Sequence, residues 1–150
     1  MTKPLNVGQL LNFLTFMVQK RTVVIVDDDL EFSRTIEDIL RLHKFAVKPI
    51  ANSDNILAEL ENSEEIVLLD MKLDNGNGLD VLRQIKQHYP HQPVILITGQ
   101  QEESGLTRKT SLAAGAHSFI YKPVKIEELL NILTEIHHQQ LGWRLGRITS

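Results

Sequence analysis

The stretch that decides the fold is Thr-Val-Val-Ile-Val-Asp-Asp-Asp at residues 22–29, where a β-branched apolar run ends in three carboxylates. An apolar run without alternation is typical of a strand that is buried on both faces of a parallel sheet. Four further apolar runs, of which the first is the weakest, lie at 45–47, 66–69, 94–97 and 118–121. We therefore expect five buried strands.

Segments of helical period separate these runs. At 30–42 the apolar side chains form a one-sided stripe, and further helices are predicted at 56–60, 79–85, 106–114 and 126–136. Tyr89-Pro90 is expected to end one helix, and Gly115 to end another as a left-handed cap. Alternating strands and helices predict a flavodoxin-like (βα)5 fold of the α/β class, a doubly wound parallel sheet with strand order 2-1-3-4-5.

The ends of the chain lie outside this pattern, so we divide the sequence into 1–21, a domain at 22–138 and a tail at 139–150. In the first segment, Leu10, Leu14 and Met17 share one helical stripe. That stripe predicts an extra N-terminal helix that packs on the domain or on another subunit, with a disordered leader as the alternative. The tail either extends the last helix or frays.

Composition excludes several classes of function. The 150 residues, 42% hydrophobic and 23% charged, are typical of one globular domain. The net charge of −3 does not favour binding to nucleic acid. The absence of cysteine excludes disulfides, thiolate zinc sites and cysteine nucleophiles. Apolar runs are shorter than the roughly 20 residues of a membrane span, which predicts a cytoplasmic protein. The six histidines show no metal-binding spacing and are expected at the surface or at helix ends.

Polar residues interrupt the predicted strands at their carboxyl ends. Asp27 and Asp28 follow the first strand, Asp70 ends the third, Thr98 ends the fourth, and Lys122 follows the fifth. The carboxyl ends of parallel strands form one edge of the sheet, where ligands of open α/β folds bind. Converging carboxylates repel one another, and a hard cation such as Mg²⁺ offsets that repulsion. The pattern predicts a site for phosphoryl transfer, in which one aspartate is the nucleophile.

These motifs resemble the receiver domain of two-component response regulators, over about residues 22–138. The matching pieces are the acidic stretch at 24–29, Leu68-Leu69-Asp70 with Gly78 downstream, Ile97-Thr98-Gly99, Ala114-Gly115-Ala116 and Tyr121-Lys122-Pro123. Each piece is weak alone, and their order and spacing make the set specific.

The resemblance implies a role for each matching residue. Asp70 would be the phosphoacceptor, and Mg²⁺ (or Mn²⁺) would be held by Asp27, Asp28, Asp70 and the backbone carbonyl of Lys72. Lys122 would contact the phosphoryl group, while Thr98 and Phe119 would occupy the switch positions. The partner would be a sensor histidine kinase or a phosphotransfer protein, and a homodimer is a further expectation. The chain would be a signalling receiver and not an enzyme acting on a separate substrate.

Some positions depart from the family pattern. Asp74 stands where proline is common, and Lys72 and Gln100 occupy places that often tune the lifetime of the phosphoryl group. The segment between Thr98 and Lys122 is about two residues longer than is typical of the family, with the extra length placed at 101–105.

Two other functions fit part of the pattern. A haloacid-dehalogenase-like phosphatase would use Asp27 and Asp29 with Thr98 and a later lysine, but Glu31 replaces the expected threonine or valine. No aspartate follows Asp80, although that class needs an acidic motif after its lysine. The third hypothesis is a receiver fold that only docks to partners and is never phosphorylated.

Overall fold

The computed structural model describes residues 6–10, 21–61, 64–73, 76–99 and 106–149, with backbone alone at 76, 106–107 and 140–149. Most of the segment 1–21 lies outside these ranges, so its prediction as a packed helix stays a prediction. Within 6–10, a helical turn is closed by two bonds: the Asn6 amide donates to the Gln9 side chain, and the Gln9 amide donates to the Asn6 side chain.

A parallel sheet of five strands forms the centre of the molecule. Its strands are β1 (Thr22–Val26), β2 (Ala46–Ile50), β3 (Ile66–Asp70), β6 (Val94–Thr98) and β7 (Ser118–Tyr121), in the order β2-β1-β3-β6-β7. A separate two-stranded antiparallel ribbon pairs β4 (Lys72–Leu73) with β5 (Gly76–Asn77). Counting only the five strands of the sheet, the predicted order 2-1-3-4-5 and the flavodoxin-like fold are confirmed.

In the described ranges, four helices connect these strands and a fifth follows the last strand. They are α1 (Leu30–Leu42), α2 (Ile56–Glu59), α3 (Gly78–His88), α4 (Leu106–Ala113) and α5 (Ile126–Thr149). The bounds of α1 match the prediction, and the last helix continues through the tail. No helix in the described ranges combines the length and hydropathy that a bilayer span requires.

Alternate residues of the strands pack into two apolar layers, one on each face of the sheet. Ile25 and Leu68 lie in the layer that includes Leu40 of α1 and Leu133 of α5. Val24, Leu69 and their neighbours lie in the opposite layer with residues of α2 and α3. Because both faces are covered, the strands are apolar without alternation, which is the feature that predicted them.

The weakest predicted strand differs most from the structure. It was expected at 45–47, but β2 runs from Ala46 to Ile50 and includes Pro49. Proline has no N–H to donate, and it is tolerated because β2 is at the edge of the sheet and pairs only with β1. The apolar run alone therefore predicts a strand that ends before Lys48, and pairing with β1 continues it to Ile50.

Helix ends were predicted from capping residues. The helix α3 stops before Tyr89, as expected, and the Tyr89 amide donates to the Ile85 carbonyl at 2.7 Å. Gly115 has a φ of 105°, which confirms the left-handed cap after α4. The prediction for the histidines was wrong for His137, which is buried within α5. Its position follows the buried residues Leu133 and Ile136 along one face of that helix.

We predict that Gly78→Ala lowers the free energy of unfolding by about 1–3 kcal/mol, because a Cβ there overlaps backbone atoms that cannot yield easily. It would lie 2.8 Å from the Met71 Cα and closer still to the Asp70 carbonyl oxygen. Chemical denaturation measures the change. Gly99→Ala is the matched control, because among the described residues the nearest atom to its Cβ would be the Lys122 Cδ, at an ordinary contact distance of 3.9 Å. Equal losses for the two variants would contradict the steric explanation.

Candidate functional site

The carboxyl edge of the sheet brings together three carboxylates from two strands. Asp27 and Asp28 follow β1, Asp70 ends β3, and these two strands are neighbours in the sheet. One carboxylate oxygen from each of the three aspartates lies within 4.8 Å of the other two. Asp27 and Asp70 are buried, while Asp28 is half-buried. The predicted convergence of the three carboxylates is therefore observed.

Lys122 supplies the positive charge of this pocket. Its Nζ donates to the Asp27 Oδ2 at 3.2 Å and lies 3.7 Å from the Asp70 Oδ2. The Lys122 amide donates to the Thr98 carbonyl at 2.6 Å, which attaches the loop after β7 to the end of β6. The predicted cation thus lies between two of the predicted acids.

Backbone amides fix the orientation of the two buried carboxylates. The Asp29 amide donates to the Asp27 Oδ1 at 2.9 Å, and the Lys72 amide donates to the Asp70 Oδ1 at 3.2 Å. Each carboxylate therefore accepts a bond from the residue two positions later. The other oxygen of each, Oδ2, faces Lys122.

The pKa of Asp70 is raised from 3.8 to about 6. Burial is the largest cause, because it disfavours the charged carboxylate. The Lys72 amide opposes the rise, the charge of Asp27 adds to it, and the charge of Lys122 opposes it. The native pocket therefore holds this negative charge at a cost that a further cation would reduce.

Neither of the two predicted switch residues belongs to the carboxylate cluster of Asp27, Asp28 and Asp70. Thr98 is buried at the end of β6, where it is in register with Tyr121 of β7. Phe119 is buried in the apolar layer of α2 and α3, and its ring meets the Tyr121 ring edge-on with centroids 5.2 Å apart. The structure shows Phe119 as a core residue, and its switch role stays a prediction.

The geometry argues against the phosphatase hypothesis. That mechanism needs Asp29 beside Asp27, but Asp29 is exposed and its carboxylate accepts from the Phe32 amide at 3.1 Å, as the N-cap of α1. The three grouped carboxylates of the described ranges are Asp27, Asp28 and Asp70. Asp29 has the structural role that its position before a helix predicts.

Phe32 is a pocket residue that the sequence did not reveal. The Lys122 Nζ lies 4.2 Å from the centre of the Phe32 ring, within the range of a cation–π contact. The helical period of α1 predicts Phe32 as part of an apolar stripe, and Phe32 does pack against the apolar layer. Nothing in the sequence indicates that the edge of this stripe also meets a lysine far along the chain.

Comparison with known proteins identifies the family. The model of the response regulator receiver domain matches residues 23–134. The chain belongs to this family. In this receiver domain, the matched segment contains every residue of the pocket.

Two curated relatives are transcriptional regulatory proteins. CpxR of Klebsiella pneumoniae is 33% identical to this receiver over 109 residues, which are 72% of this chain and 45% of CpxR. The uncharacterized regulatory protein YkoG of Bacillus subtilis is 32% identical over 114 residues, 75% of this chain and 49% of YkoG. The chain therefore spans about half the length of these relatives.

A solved structure resembles the receiver over most of its length. The CheY-like receiver domain protein of Methanospirillum hungatei is 30% identical, with a TM-score of 0.71, and the match covers 81% of this chain and 97% of that one. The likeness therefore extends to nearly all of that receiver domain protein.

We predict that Asp70→Asn stabilises the metal-free receiver at about pH 7.5 by roughly 1–2 kcal/mol. The raised pKa means that the native state loses stability as the carboxyl ionises between pH 3.8 and about 6. The amide cannot ionise, so its advantage is present above pH 6 and largely absent near pH 3, where the carboxyl is mostly protonated in both states. Urea unfolding with a chelator, at both pH values, measures the difference.

The matched control for this prediction is Asp38→Asn, because Asp38 is an exposed aspartate of α1. That variant should change the free energy of unfolding by less than about 0.5 kcal/mol. An Asp70→Asn variant that is no more stable than the parent at about pH 7.5 would show that burial of this charge is not unfavourable.

Proposed function

We propose that this receiver is a phosphorylation-dependent switch in which Asp70 is the phosphoacceptor. The donor is a phosphohistidine of a sensor histidine kinase or a phosphotransfer protein. One observation carries the proposal: the Asp70 carboxylate shares a pocket with the carboxylates of Asp27 and Asp28 and with the Lys122 ammonium. A cytoplasmic location, and action through protein contacts and not through nucleic acid, are parts of the same proposal.

The chemical step requires an accessible oxygen on Asp70. Its Oδ1 accepts from the Lys72 amide, so Oδ2 is the oxygen that faces Lys122 and the nucleophile that we assign. A P–O bond forms at this oxygen as the P–N bond of the donor histidine breaks, and the imidazole nitrogen that leaves takes up a proton. Lys122 is close enough to neutralise charge on the transferred group.

The donor set fits a hard divalent cation. Three carboxylate oxygens converge within 4.8 Å, and oxygen ligands are those that Mg²⁺ prefers. Asp27, Asp28 and Asp70 would hold Mg²⁺ or Mn²⁺, with the Lys72 carbonyl as a further ligand. When bound, the cation supplies positive charge that lowers the repulsion between the carboxylates and an incoming phosphoryl group.

The response to phosphorylation begins at the same edge of the sheet. A phosphoryl group adds about two negative charges, to which the Thr98 hydroxyl and the Lys122 ammonium are the nearest predicted donors. Because the Lys122 amide is bonded to the Thr98 carbonyl, movement of either end is transmitted to the other. Phe119 lies on β7, the strand next to that of Thr98, and is in register with Leu96. Movement of Thr98 or Lys122 would therefore change how the Phe119 ring packs.

We predict that a small acyl phosphate with Mg²⁺ adds one phosphoryl group to the parent chain and none to Asp70→Asn. Intact-mass spectrometry measures the addition. Asp80→Asn should be labelled like the parent, because the Asp80 carboxylate is 71% exposed on α3, where it lies 3.7 Å from the Arg83 guanidinium. Labelling that persists in Asp70→Asn would refute the assignment. A parent chain that binds its partner but is never labelled would favour the docking module instead.

We predict that Mg²⁺ stabilises the parent chain against thermal unfolding and that Asp28→Asn lowers the apparent Mg²⁺ affinity at least about tenfold. The apparent affinity in the parent should fall as the pH drops below about 6, because a proton then competes for the Asp70 carboxylate. A titration of the melting temperature with Mg²⁺ measures both effects. Asp38→Asn should bind Mg²⁺ like the parent, and equal affinity in Asp28→Asn would remove Asp28 from the site.

A further inference from the structure

We infer that Phe32 is a positioning residue for Lys122, and that its ring face holds the ammonium at the pocket. The observation is the distance of 4.2 Å from the Lys122 Nζ to the ring centre, together with the two carboxylate contacts that the same ammonium makes. The consequence for phosphoryl transfer rests on the proposed function, whereas the contact itself does not.

Lysine needs such a constraint more than most residues. Its ammonium is a point charge on a flexible four-carbon stem, and water competes for it whenever it is partly exposed. The Lys122 side chain retains 23% of its exposure, whereas those of Asp27 and Asp70 retain 3% and 8%. The ammonium can therefore turn toward solvent unless something holds it.

The Phe32 ring is itself held in place from two directions. Its backbone amide donates to the Asp29 carboxylate in the N-cap of α1. Its ring packs against the apolar layer formed with α1 and α5. A ring anchored in this way presents a fixed surface, and the electron-rich face of an aromatic ring attracts a cation.

The contacts of Asp27, Asp29, Phe32 and Lys122 form a closed network around the first turn of α1. The Asp29 amide donates to the Asp27 Oδ1, the Phe32 amide donates to the Asp29 Oδ1, and the Phe32 ring faces the Lys122 Nζ. The network is completed where the Lys122 Nζ donates to the Asp27 Oδ2. The network therefore includes both oxygens of Asp27, and removal of the Phe32 ring would break it at Lys122.

The direct test is the NMR signal of the Lys122 ε-methylene protons in the metal-free protein. A proton over an aromatic ring is shifted upfield, so we expect an upfield signal in the parent and in Phe32→Tyr. The signal should return to its ordinary position in Phe32→Leu, which keeps an apolar side chain but has no ring. Its absence from Lys122→Gln identifies it. An unchanged shift in Phe32→Leu would overturn the inference.

A double-mutant cycle tests the consequence for the reaction. Phe32→Leu should lower the initial rate of labelling by a small acyl phosphate with Mg²⁺ about threefold, and Phe32→Tyr should restore it. In a Lys122→Gln background, Phe32→Leu should have no further effect, because the residue through which it acts is gone. An equal loss in both backgrounds would show that Phe32 acts through packing alone and would overturn the positioning role.

Phe45→Leu is the matched control for packing. Phe45 lies just before β2 and is buried in the same apolar layer. Its substitution by leucine also removes a phenyl ring, but one that is not the Phe32 ring over Lys122. It should destabilise the protein without moving the Lys122 signal or the labelling rate. If the parent is not labelled at all, the proposed function fails, and the NMR experiment still decides whether Phe32 holds Lys122.

Discussion

The pocket depends on one electrostatic constraint: the negative charge of two buried carboxylates must be balanced where two neighbouring parallel strands end. Asp27 and Asp70 are placed there because β1 and β3 are paired in parallel, so their carboxyl ends lie side by side. Two such charges repel and lose their hydration. The ammonium of Lys122 and the amides of Asp29 and Lys72 offset part of this cost.

The interactions of the pocket neutralise the two carboxylates only in part, and this bears on how the site would bind a cation. The raised pKa of Asp70 shows that the interactions within the chain do not fully compensate for burial. A pocket that neutralised its acids completely would have little affinity for a further cation and would leave the nucleophile unreactive. Because burial of the charge is not fully compensated, cation binding and loss of the Asp70 proton favour each other.

The sequence predicted the architecture because its signals were local. An apolar run identifies a buried strand without knowledge of the neighbours, and Asp29 before α1 identifies a cap in the same way. The approach of Asp27, Asp28 and Asp70 was predictable by one further step, since the strand order places β1 beside β3. Topology thus converts separations along the chain into distances across one edge of the sheet.

Other features depended on contacts that no local pattern encodes. Pro49 continues β2 because the edge position leaves its missing N–H without consequence, and the edge is a property of the whole sheet. His137 is buried because α5 continues past the predicted end with the same face toward the protein. The contact between Phe32 and Lys122 joins α1 to the loop after β7, and a helical stripe accounts for Phe32 without it.

The first turn of α1 combines a feature that is predictable from local sequence, the Asp29 cap, with a contact between distant residues, Phe32 with Lys122. The Asp29 amide fixes one oxygen of Asp27, and Asp29 is held in turn because its carboxylate caps the helix. The same turn sets the direction of Phe32, which faces the cation that contacts the other oxygen of Asp27. A helix that begins immediately after a strand therefore does more than cover the sheet. The stability of the cap, which is a local property, thereby helps to align a charged pair whose members are 95 residues apart along the chain.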